Sequence, residues 1–334
     1  MTDTPTLPDL TGLRSLLTAH LGRTAYIIPM TDRRDVPIGN NGDHLMLMVF
    51  DQILKDFGIA TTGDPARAEL AIVPPNGAIL EAYAFPDILA ERLSRLQHLP
   101  LVLFPSSAYF PKRDPSFIFR GRRAETLWIL REKFSFDHLH THWLAPLQAN
   151  GVRLALDHDV VASGHAFVPA IIGAPLARRH TLVAARIDRE ATSLDAPGPS
   201  GAAAGARLVD LGKRLIEALP HARTRTALTR AIRRDKLRGA GSRLLAAVPA
   251  SFASADPALP MRFVDSSAVR FATFDEYREA IRGADLIVTD RLHVGLPGTI
   301  LGKRVVLVEA GYHKLGGVYR QSLSRCPNVT FVRK

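Results

Sequence analysis

Residues 285–299 read Asp285-Leu-Ile-Val-Thr-Asp290-Arg291-Leu-His293-Val-Gly-Leu-Pro-Gly-Thr299. The short apolar run at 286–288 is typical of a parallel strand that is covered on both faces. Thr289-Asp290 offers a helix N-cap, and Gly302 predicts the end of the helix that follows. This stretch therefore predicts a buried strand that opens directly onto a helix.

Arg291 and His293 fall in the first turn of that helix. The carboxyl end of a strand, where it meets a helix N-terminus, is where α/β sheets hold anionic ligands. An arginine supplies a planar clamp for phosphate or carboxylate, and a histidine can transfer a proton near neutral pH. The alternative is a surface arginine and a satisfied histidine at a strand-to-helix corner. Pro297 has no N–H for the carbonyl of His293, so we expect the helix to be kinked or to begin late.

Length and composition suit a globular protein of two α/β domains. The chain has 334 residues, of which 46% are hydrophobic. Its start, Met-Thr-Asp-Thr-Pro-Thr, lacks the charged and apolar regions of a signal peptide, and no apolar run reaches the roughly 18 residues of a membrane span. A single cysteine, Cys326, excludes an internal disulfide and a cysteine-rich metal site. We therefore expect a reduced, cytoplasmic protein.

The net charge of +11 indicates an anionic partner: nucleic acid, an anionic membrane surface or a phosphorylated small molecule. Nucleic acid is the least favoured, because aromatic residues make up only 7% and no basic stretch is interleaved with them. Residues 222–238 form either a solvated helix face or a patch for phosphates or membrane. Their basic residues are Arg223, Arg225, Arg230, Arg233, Arg234, Lys236 and Arg238.

Apolar runs and helical patterns alternate along the whole chain, which predicts a doubly wound parallel sheet in each half. Helical spacing is present at 46–57, 86–96 and 125–138. Glycines and prolines at 163–178 mark the domain boundary, so the predicted domains are 1–165 and 166–334. The predicted strands are 25–28, 69–73, 99–104, 154–156, 181–185, 262–265, 286–289, 305–308 and 329–332.

Several polar loops follow the predicted strands of the first half. The turn at Gly39-Asn40-Asn41-Gly42-Asp43 lets backbone N–H groups approach a ligand at the positive end of a helix. Asp43 either caps that helix or accepts a proton from a bound hydroxyl. Pro74-Pro-Asn-Gly77 predicts a second loop. Ser106 and Ser107 after the third strand either bind sugar or phosphate or close a turn.

Two further segments stand out by composition. Residues 191–206 are rich in Pro, Gly, Ala and Ser, which indicates a mobile loop. His138, His140 and His142 suggest a metal site, but side chains two apart on a helix diverge and no acidic or thiolate partner lies near. We therefore expect no metal there.

Six motifs, taken together and in order, resemble the polysaccharide pyruvyl transferase family over residues 36–320. The Thr289-Asp-Arg-Leu-His293 signature is the most recognisable, and Lys314 falls where a lysine commonly follows. Ser106 stands where the family usually has Gln, and a Pro is missing before Asp157. The other motifs are Gly39-Asn-Asn-Gly-Asp43, Phe104-Pro-Ser-Ser107, Arg131-Glu132, Asp157-His-Asp159 and Arg186-Ile-Asp-Arg-Glu190.

The resemblance implies two Rossmann-like domains in a GT-B-like arrangement, with the active site in the interdomain cleft, the acceptor on the N-terminal side and the donor on the C-terminal side. It implies transfer of the pyruvyl group of phosphoenolpyruvate, the co-substrate, to a sugar or lipid-linked oligosaccharide as a ketal. His293 is then the acid and Asp43 a base. No metal or other cofactor is required. The implied substrate-binding residues are Arg186, Arg291, Lys314, Asn40, Asn41, Ser106, Ser107 and Asp290.

Two other functions remain compatible with the sequence. One is a GT-B-type glycosyltransferase, which would share the fold but use a nucleotide sugar as donor. The other is a non-catalytic protein that binds anionic glycans. Ligands would stabilise such a protein without release of phosphate, so phosphate release distinguishes it from the enzyme.

Overall fold

The computed structural model describes residues 7–177, 179–187, 222–249, 259–266, 271–309 and 313–333, and for 222–231 the backbone alone. These residues have a mixed α/β fold with two parallel sheets. The strands are β1 Thr24–Ile27, β2 Ala60–Thr62, β3 Leu70–Val73, β4 Asn76–Leu80, β5 Leu101–Tyr109, β6 Thr126–Leu130, β7 Val152–Leu156, β8 His180–Ala184, β9 Met261–Phe263, β10 Ala284–Thr289, β11 Arg304–Val308 and β12 Val329–Val332. The helices are α1 Thr11–Leu16, α2 Asn41–Asp56, α3 Phe85–Leu93, α4 Lys133–Ala149, α5 Val160–Ser163, α6 Val168–Ile172, α7 Ala222–Leu245, α8 Phe274–Arg282, α9 Leu292–Ile300 and α10 His313–Val318.

Both sheets have the strand order of a doubly wound fold. The first runs β2-β1-β3-β5-β6-β7 with β4 added beside β5, and the second runs β12-β11-β10-β8-β9. Every strand pair in the described residues is parallel. The order reverses between β1 and β3 in one sheet and between β8 and β10 in the other. Crevices outside the carboxyl ends of strands at such switch points are where these sheets bind ligands.

Alternate residues of each strand enter different apolar clusters, as expected for sheets covered on both faces. Leu70 and Ile72 of β3 face α2, whereas Ala71 and Val73 pack with α3 and α4. The cluster around α2 also contains Ile287 of β10 and residues of α5, α6, α8 and α9. One continuous apolar layer therefore joins the inner faces of the two sheets. Its burial, at about 25 cal/mol per Å² of apolar surface, fixes α2 against α9.

Local sequence explains where the helices that matter for function begin. Asn40 caps α2 by accepting a hydrogen bond from the Gly42 N–H (2.7 Å), and Asp43 accepts one from the Asn40 N–H (2.8 Å). This reciprocal pair is a capping box. Loss of such a cap costs about 1 kcal/mol. At the far end of α9, Gly302 adopts a left-handed φ of 71°, which confirms the predicted helix stop.

Three predicted elements of the first half are wrong. Residues 125–138 do not form one helix, because the buried run Thr126–Leu130 is a central strand and a new helix starts at Lys133. The third strand continues to Tyr109 instead of ending at Pro105, since the register with β6 shifts between Leu103 and Ser106 and such irregularities accommodate proline. The loop predicted at residues 74–77 gives way to β4, which begins at Asn76.

The kink predicted around Pro297 is confirmed. His293 has non-helical backbone angles of φ −83° and ψ 19° inside α9. Its carbonyl oxygen, which Pro297 leaves without a helical donor, accepts a hydrogen bond from the Tyr277 hydroxyl of α8. Tyr277 of α8 thus holds the backbone of His293 at the kink near the start of α9.

The remaining strands predicted from sequence are present with boundaries within a few residues, and Val329–Val332 agrees at both ends. The sequence did not predict β2 or β6. The segment 191–206, and Asp188 and Glu190 of the fifth motif, lie outside the described residues. None of the helices in the described ranges is long and apolar enough to cross a membrane.

Candidate active site

A cavity of about 420 Å³ lies at the carboxyl ends of strands from both sheets. This is the size range of small-molecule sites. Its polar lining comes from the segments that follow β1, β3 and β6 in one sheet and β8, β9, β10 and β11 in the other. These polar lining residues are Asn40, Asp43, Asn76, Tyr83, Arg131, Arg186, Ser266, Arg291, His293 and Lys314.

Positive charge dominates the cavity wall. Arg131, Arg186, Arg291 and Lys314 line it, and Asp43 is the acidic side chain among the described lining residues. The N-terminus of α2 adds the positive end of a 16-residue helix at Gly42 and its neighbours. The cavity therefore suits a ligand that carries more than one negative group, such as a phosphate and a carboxylate.

His293 is held by a buried carboxylate from the other sheet. Its Nε2 lies 3.1 Å and 3.3 Å from the two oxygens of Asp159, which follows β7. The histidine side chain is 11% exposed and the aspartate 1%. A carboxylate on one imidazole nitrogen fixes the orientation of the ring. The pair therefore holds the imidazole in one orientation at the cavity wall.

Asp159 is ionised although it is fully buried. Burial alone would raise the pKa of its carboxyl, but His293 and the Arg131 guanidinium bring the pKa well below its ordinary range. Arg131 lies 2.9 Å from Asp159 Oδ2 and is itself 2% exposed. The Val161 N–H also donates to Asp159 Oδ1, at 3.0 Å. Removing Arg131 would take its cation away from a buried carboxylate, which costs several kcal/mol.

Ser107 orients Arg131 through a hydrogen bond. The Nε of Arg131 donates to Ser107 Oγ at 2.9 Å, and its Nη1 lies beside Asp159 and Met46. The neighbouring Glu132 caps α4 by accepting from the Ser135 N–H at 2.9 Å. Burial raises the pKa of Glu132 above its ordinary value. Arg131 therefore contributes a cation to the cavity wall, and Glu132 caps the helix that follows, α4.

Lys314 reaches the cavity beside Gly77, which has no side chain in its way. Its Nζ donates to the carbonyl of Gly77 at 3.0 Å. A Cβ at Gly77 would lie 2.5 Å from Lys314 Nζ and 3.0 Å from an Arg131 nitrogen. Gly42 plays the same part for the histidine, because a Cβ there would lie 2.6 Å from His293 Cβ. These two glycines let the two halves approach each other at the cavity.

Asp290 ties the ends of β8 and β10 together. Its Oδ1 accepts a hydrogen bond from the Arg186 N–H at 2.8 Å. Burial raises the pKa of its carboxyl, while Arg291 and Arg186 act in the opposite direction. Thr289 reinforces this corner, since its Oγ1 donates to the Ala184 carbonyl and accepts from the Arg291 N–H. Arg186 and Arg291 therefore project from two adjacent strand ends that are locked in register.

The structure brings six of the predicted site residues to this cavity: Asn40, Asp43, Arg186, Arg291, His293 and Lys314. The capping alternative for Asp43 is confirmed, and the same residue also lines the cavity. Whether these residues bind substrate or act in catalysis stays a prediction.

Four predicted substrate-binding residues do not line the cavity. Asn41 is fully buried and donates to the Ala272 carbonyl at 2.8 Å. Ser106 accepts a hydrogen bond from Trp128 Nε1, Ser107 accepts one from Arg131, and Asp290 accepts one from the Arg186 backbone. Each side chain satisfies a neighbouring polar group, so the structure gives these four a supporting position.

Arg131 and Asp159 are the residues that sequence reasoning left out of the site. Both belong to motifs that carry the resemblance, so the signal was present. The helix predicted over residues 125–138 concealed that Arg131 follows a strand, where side chains converge on the carboxyl edge of the sheet. Asn76, which the sequence placed in a predicted loop, also lines the cavity, as do Tyr83 and Ser266, which were not singled out.

The basic segment lies on α7 of the second half. Arg234, Lys236 and Arg238 are exposed. Arg233 instead pairs with Asp265 and stacks over the Phe271 ring at 3.6 Å. The side chains of Arg223, Arg225 and Arg230 lie outside the described residues. Of the described basic side chains of this segment, three are therefore exposed and one is engaged in packing.

Fold and cavity together define an α/β protein with a cationic cavity at its strand ends. Residues 208–311 match the model of the polysaccharide pyruvyl transferase family, a family of transferases, which confirms the resemblance over that part of the chain. The matched region contains Arg291 and His293 but neither Arg131 nor Asp159.

A functionally uncharacterized protein of Klebsiella pneumoniae has a similar solved structure. The TM-score is 0.51 with 14% sequence identity, and the alignment covers 96% of this chain and 95% of that chain. At this identity the similarity shows the fold alone. No curated protein matches the sequence.

Proposed function

We propose that this protein transfers the pyruvyl group of phosphoenolpyruvate to a sugar of an exopolysaccharide or cell-surface glycan precursor and forms a pyruvate ketal. The observation that carries the proposal is the cavity in which Arg131, Arg186, Arg291 and Lys314 surround a carboxylate-held histidine, His293. The match of residues 208–311 to a pyruvyl transferase family supports it.

The negative groups of the donor match the positive charge of the cavity. Phosphoenolpyruvate carries a carboxylate and a phosphate on adjacent atoms, and two arginines can each clamp one of them in a bidentate manner. Arg186 and Arg291 start from neighbouring strands and are the proposed clamps, with Lys314 as a third cation. Arg131 extends the same field from the other sheet. These cations also neutralise the leaving phosphate, so the scheme uses no metal and no other cofactor.

The proposed reaction has two steps that balance. In the first, a sugar hydroxyl attacks C2 of the enol, its proton passes to Asp43, and His293 donates a proton to C3, which becomes a methyl group. In the second, the bond from C2 to the phosphate oxygen breaks, and a second hydroxyl bonds to C2. The proton of that hydroxyl leaves with the phosphate. Asp159 holds the imidazolium of His293 in place during the first step.

The same proposal assigns the architecture. Residues 1–165 and 166–334 are proposed as two Rossmann-like domains in a GT-B-like arrangement, with the active site in the cleft between them. The C-terminal domain binds the donor, since Arg186, Arg291, His293 and Lys314 belong to it. The acceptor then enters from the N-terminal side, past Asn40 and Asp43.

We further propose a cytoplasmic enzyme that meets its acceptor, a sugar or lipid-linked oligosaccharide, at the inner face of the membrane, and that does not use nucleic acid. The exposed residues Arg234, Lys236 and Arg238 would contact the anionic surface, at about 1 kcal/mol for each charge near a bilayer. Sedimentation with anionic and neutral vesicles measures this contact. Equal binding to both kinds of vesicle would contradict it.

The direct test is product formation. The protein is incubated with phosphoenolpyruvate labelled with ¹³C at C2 and with a panel of sugars and lipid-linked oligosaccharides. Phosphate release and the ¹³C signal of a ketal carbon are followed together. We expect both to appear with the correct acceptor and neither in the His293→Gln variant. Glycosyl transfer from a nucleotide sugar without ketal formation would establish the glycosyltransferase alternative instead.

A further inference from the structure

A second cavity, which we call the aromatic pocket, lies where β5 meets α4. It measures about 410 Å³ and is lined by Tyr109, Pro111, His138, His142 and Trp143. His142 is exposed, and the other three rings are half-buried. Neighbouring aromatic rings that line a hollow are one kind of surface that marks a ligand-binding groove.

The rings of this pocket are held in fixed orientations. Trp143 Nε1 donates to the Phe110 carbonyl at 2.9 Å, and His138 Nε2 lies 3.1 Å from the nitrogen and from the oxygen of Phe110. The centroids of His138 and Tyr109 are 4.7 Å apart, and those of His138 and His142 are 5.1 Å apart. A wall of this kind is ordered before any ligand arrives, which reduces the entropic cost of binding.

The aromatic pocket adjoins the cationic cavity by two routes. His313 directly precedes Lys314, and its ring lies 5.2 Å from that of Tyr109. In the sheet, β4 carries Gly77 near one end and pairs Leu80 with Tyr109 near the other. Three residues of strand span about 10 Å. A ligand that starts at Lys314 and continues along β4 therefore reaches the aromatic wall after a short distance.

The chemistry of the pocket is that of a neutral, flat surface with polar edges. Burial lowers the pKa of His138, and burial lowers the pKa of His313 to about 3, so both rings are uncharged at neutral pH. The described residues contain no group of three His, Cys, Asp or Glu side chains suited to a metal. A pyranose ring matches this surface, since its C–H face packs on an aromatic ring while its hydroxyls reach imidazole nitrogens.

We propose that the aromatic pocket binds a sugar ring of the acceptor glycan, one or two units away from the hydroxyls that receive the pyruvyl group. This rests on the proposed function for the identity of the acceptor. The binding itself needs no turnover. It assigns Tyr109, His142 and Trp143 to glycan recognition and predicts that acceptors longer than a monosaccharide are bound more tightly.

The test uses the protein's own fluorescence. The chain has two tryptophans, and Trp128 is fully buried, so a ligand-induced change reports chiefly on Trp143. Wild-type protein is titrated with gluco-, galacto- and manno-oligosaccharides of one to six units. We expect a saturable change that strengthens from one unit to three with at least one series. Trp143→Ala should weaken oligosaccharide affinity about tenfold, the contribution of one good aromatic contact. Because this variant lacks the fluorescent reporter, its affinity is measured by calorimetry.

His142→Ala is the second variant, because it changes an exposed position and should leave folding intact. His140→Ala is the matched control, since His140 lies on the same helix but stacks on Phe136 beside a different cavity. We expect weaker binding in His142→Ala and unchanged binding in His140→Ala. Equal affinity in the wild type, Trp143→Ala and His142→Ala would overturn the inference. The absence of binding of any oligosaccharide by the wild type would also overturn it. If oligosaccharides bind as expected but no acceptor gains a ketal, the proposed function fails and the sugar site stands.

Discussion

The two sheets of this protein use the polar residues of their strand segments differently. In the C-terminal sheet, polar side chains after the strands line the cationic cavity directly, as Arg186, Arg291 and Lys314 do. In the N-terminal sheet, Ser106 and Ser107 lie inside β5 and satisfy buried neighbours instead. In these examples, the position of a polar residue relative to the end of its strand separates residues that line the cavity from residues that support it.

The N-terminal half nevertheless sets the geometry of the C-terminal groups. Asp159 orients His293, and Gly42 leaves room for that histidine. Gly77 both accepts a hydrogen bond from Lys314 and leaves space for it. One half therefore supplies most of the charged groups and the other fixes where they stand. Substitutions in the two halves should accordingly differ in what they change.

The largest effect is expected at the histidine. His293→Gln should lower turnover by about 10²–10⁴-fold, the usual worth of a positioned acid, while affinity for phosphoenolpyruvate changes little. Steady-state kinetics and donor titration measure the two quantities. Asp159→Asn, its partner from the other half, should also lower turnover, and the double variant should be about as slow as the worse single variant. Multiplied effects would show that the two residues act independently.

Donor binding should depend most on the C-terminal arginines. Arg291→Ala should weaken binding of phosphoenolpyruvate by about 2–5 kcal/mol, the cost of removing one member of a desolvated charge pair. Calorimetry measures the affinity. Arg304→Ala, an exposed arginine at the start of β11, is the control and should bind as the wild type does. If Arg291→Ala and Arg186→Ala both keep wild-type affinity, the anion site has been placed wrongly.

Gly77 of the N-terminal half should affect donor affinity through the position of Lys314. Gly77→Ala adds a Cβ that would lie 2.5 Å from Lys314 Nζ, so the lysine must move. We expect donor affinity to fall by about tenfold, or ~1.4 kcal/mol. Gly63→Ala is the control, because a Cβ there meets nothing within 4 Å. Unchanged affinity in Gly77→Ala would show that the lysine position does not matter for the donor.

The sequence predicted the second half of this fold better than the first, for physical reasons. Runs such as 286–288 and 305–308 are short, apolar and bounded by polar turns, so their period is unambiguous. Residues 125–138 join a buried strand to a helix with only Arg131 and Glu132 between them, and a window that spans both reads as one amphipathic helix. Pro105 suggested a strand end because proline lacks a ladder donor, whereas an irregular register accommodates it.

For the residues that line the cavity, residue type and strand position sufficed for Arg186, Arg291 and His293. They were insufficient for Asp159, because its role depends on a contact across 134 residues of sequence that no local pattern contains. The same limit applies to Asn41, whose side-chain amide donates a hydrogen bond to the Ala272 carbonyl in the other half. Sequence can indicate which strand ends carry chemistry, but partners that come from distant segments appear only once the fold is known.

Burial of Asp157 in the N-terminal half should make the unfolding free energy depend on pH. Burial raises the pKa of Asp157, two residues before Asp159, to about 6. Its contribution to stability is fully present below the ordinary pKa near 3.8 and is lost as pH rises through about 6. We expect the unfolding free energy to fall by about 1–2 kcal/mol between pH 5 and pH 8 on this account. Denaturant unfolding of Asp157→Asn should show a flatter pH dependence and higher stability at pH 8; a profile as steep as the wild type's would contradict this.

The most direct test of the central claim is calorimetric titration of the wild-type protein with phosphoenolpyruvate and, separately, with UDP-glucose and GDP-mannose. The claim is that cations from both sheets form one site for a small molecule with adjacent carboxylate and phosphate groups. We expect saturable binding of phosphoenolpyruvate at one site per chain and no comparable binding of either nucleotide sugar. Tight binding of a nucleotide sugar, with no heat from phosphoenolpyruvate, would contradict it.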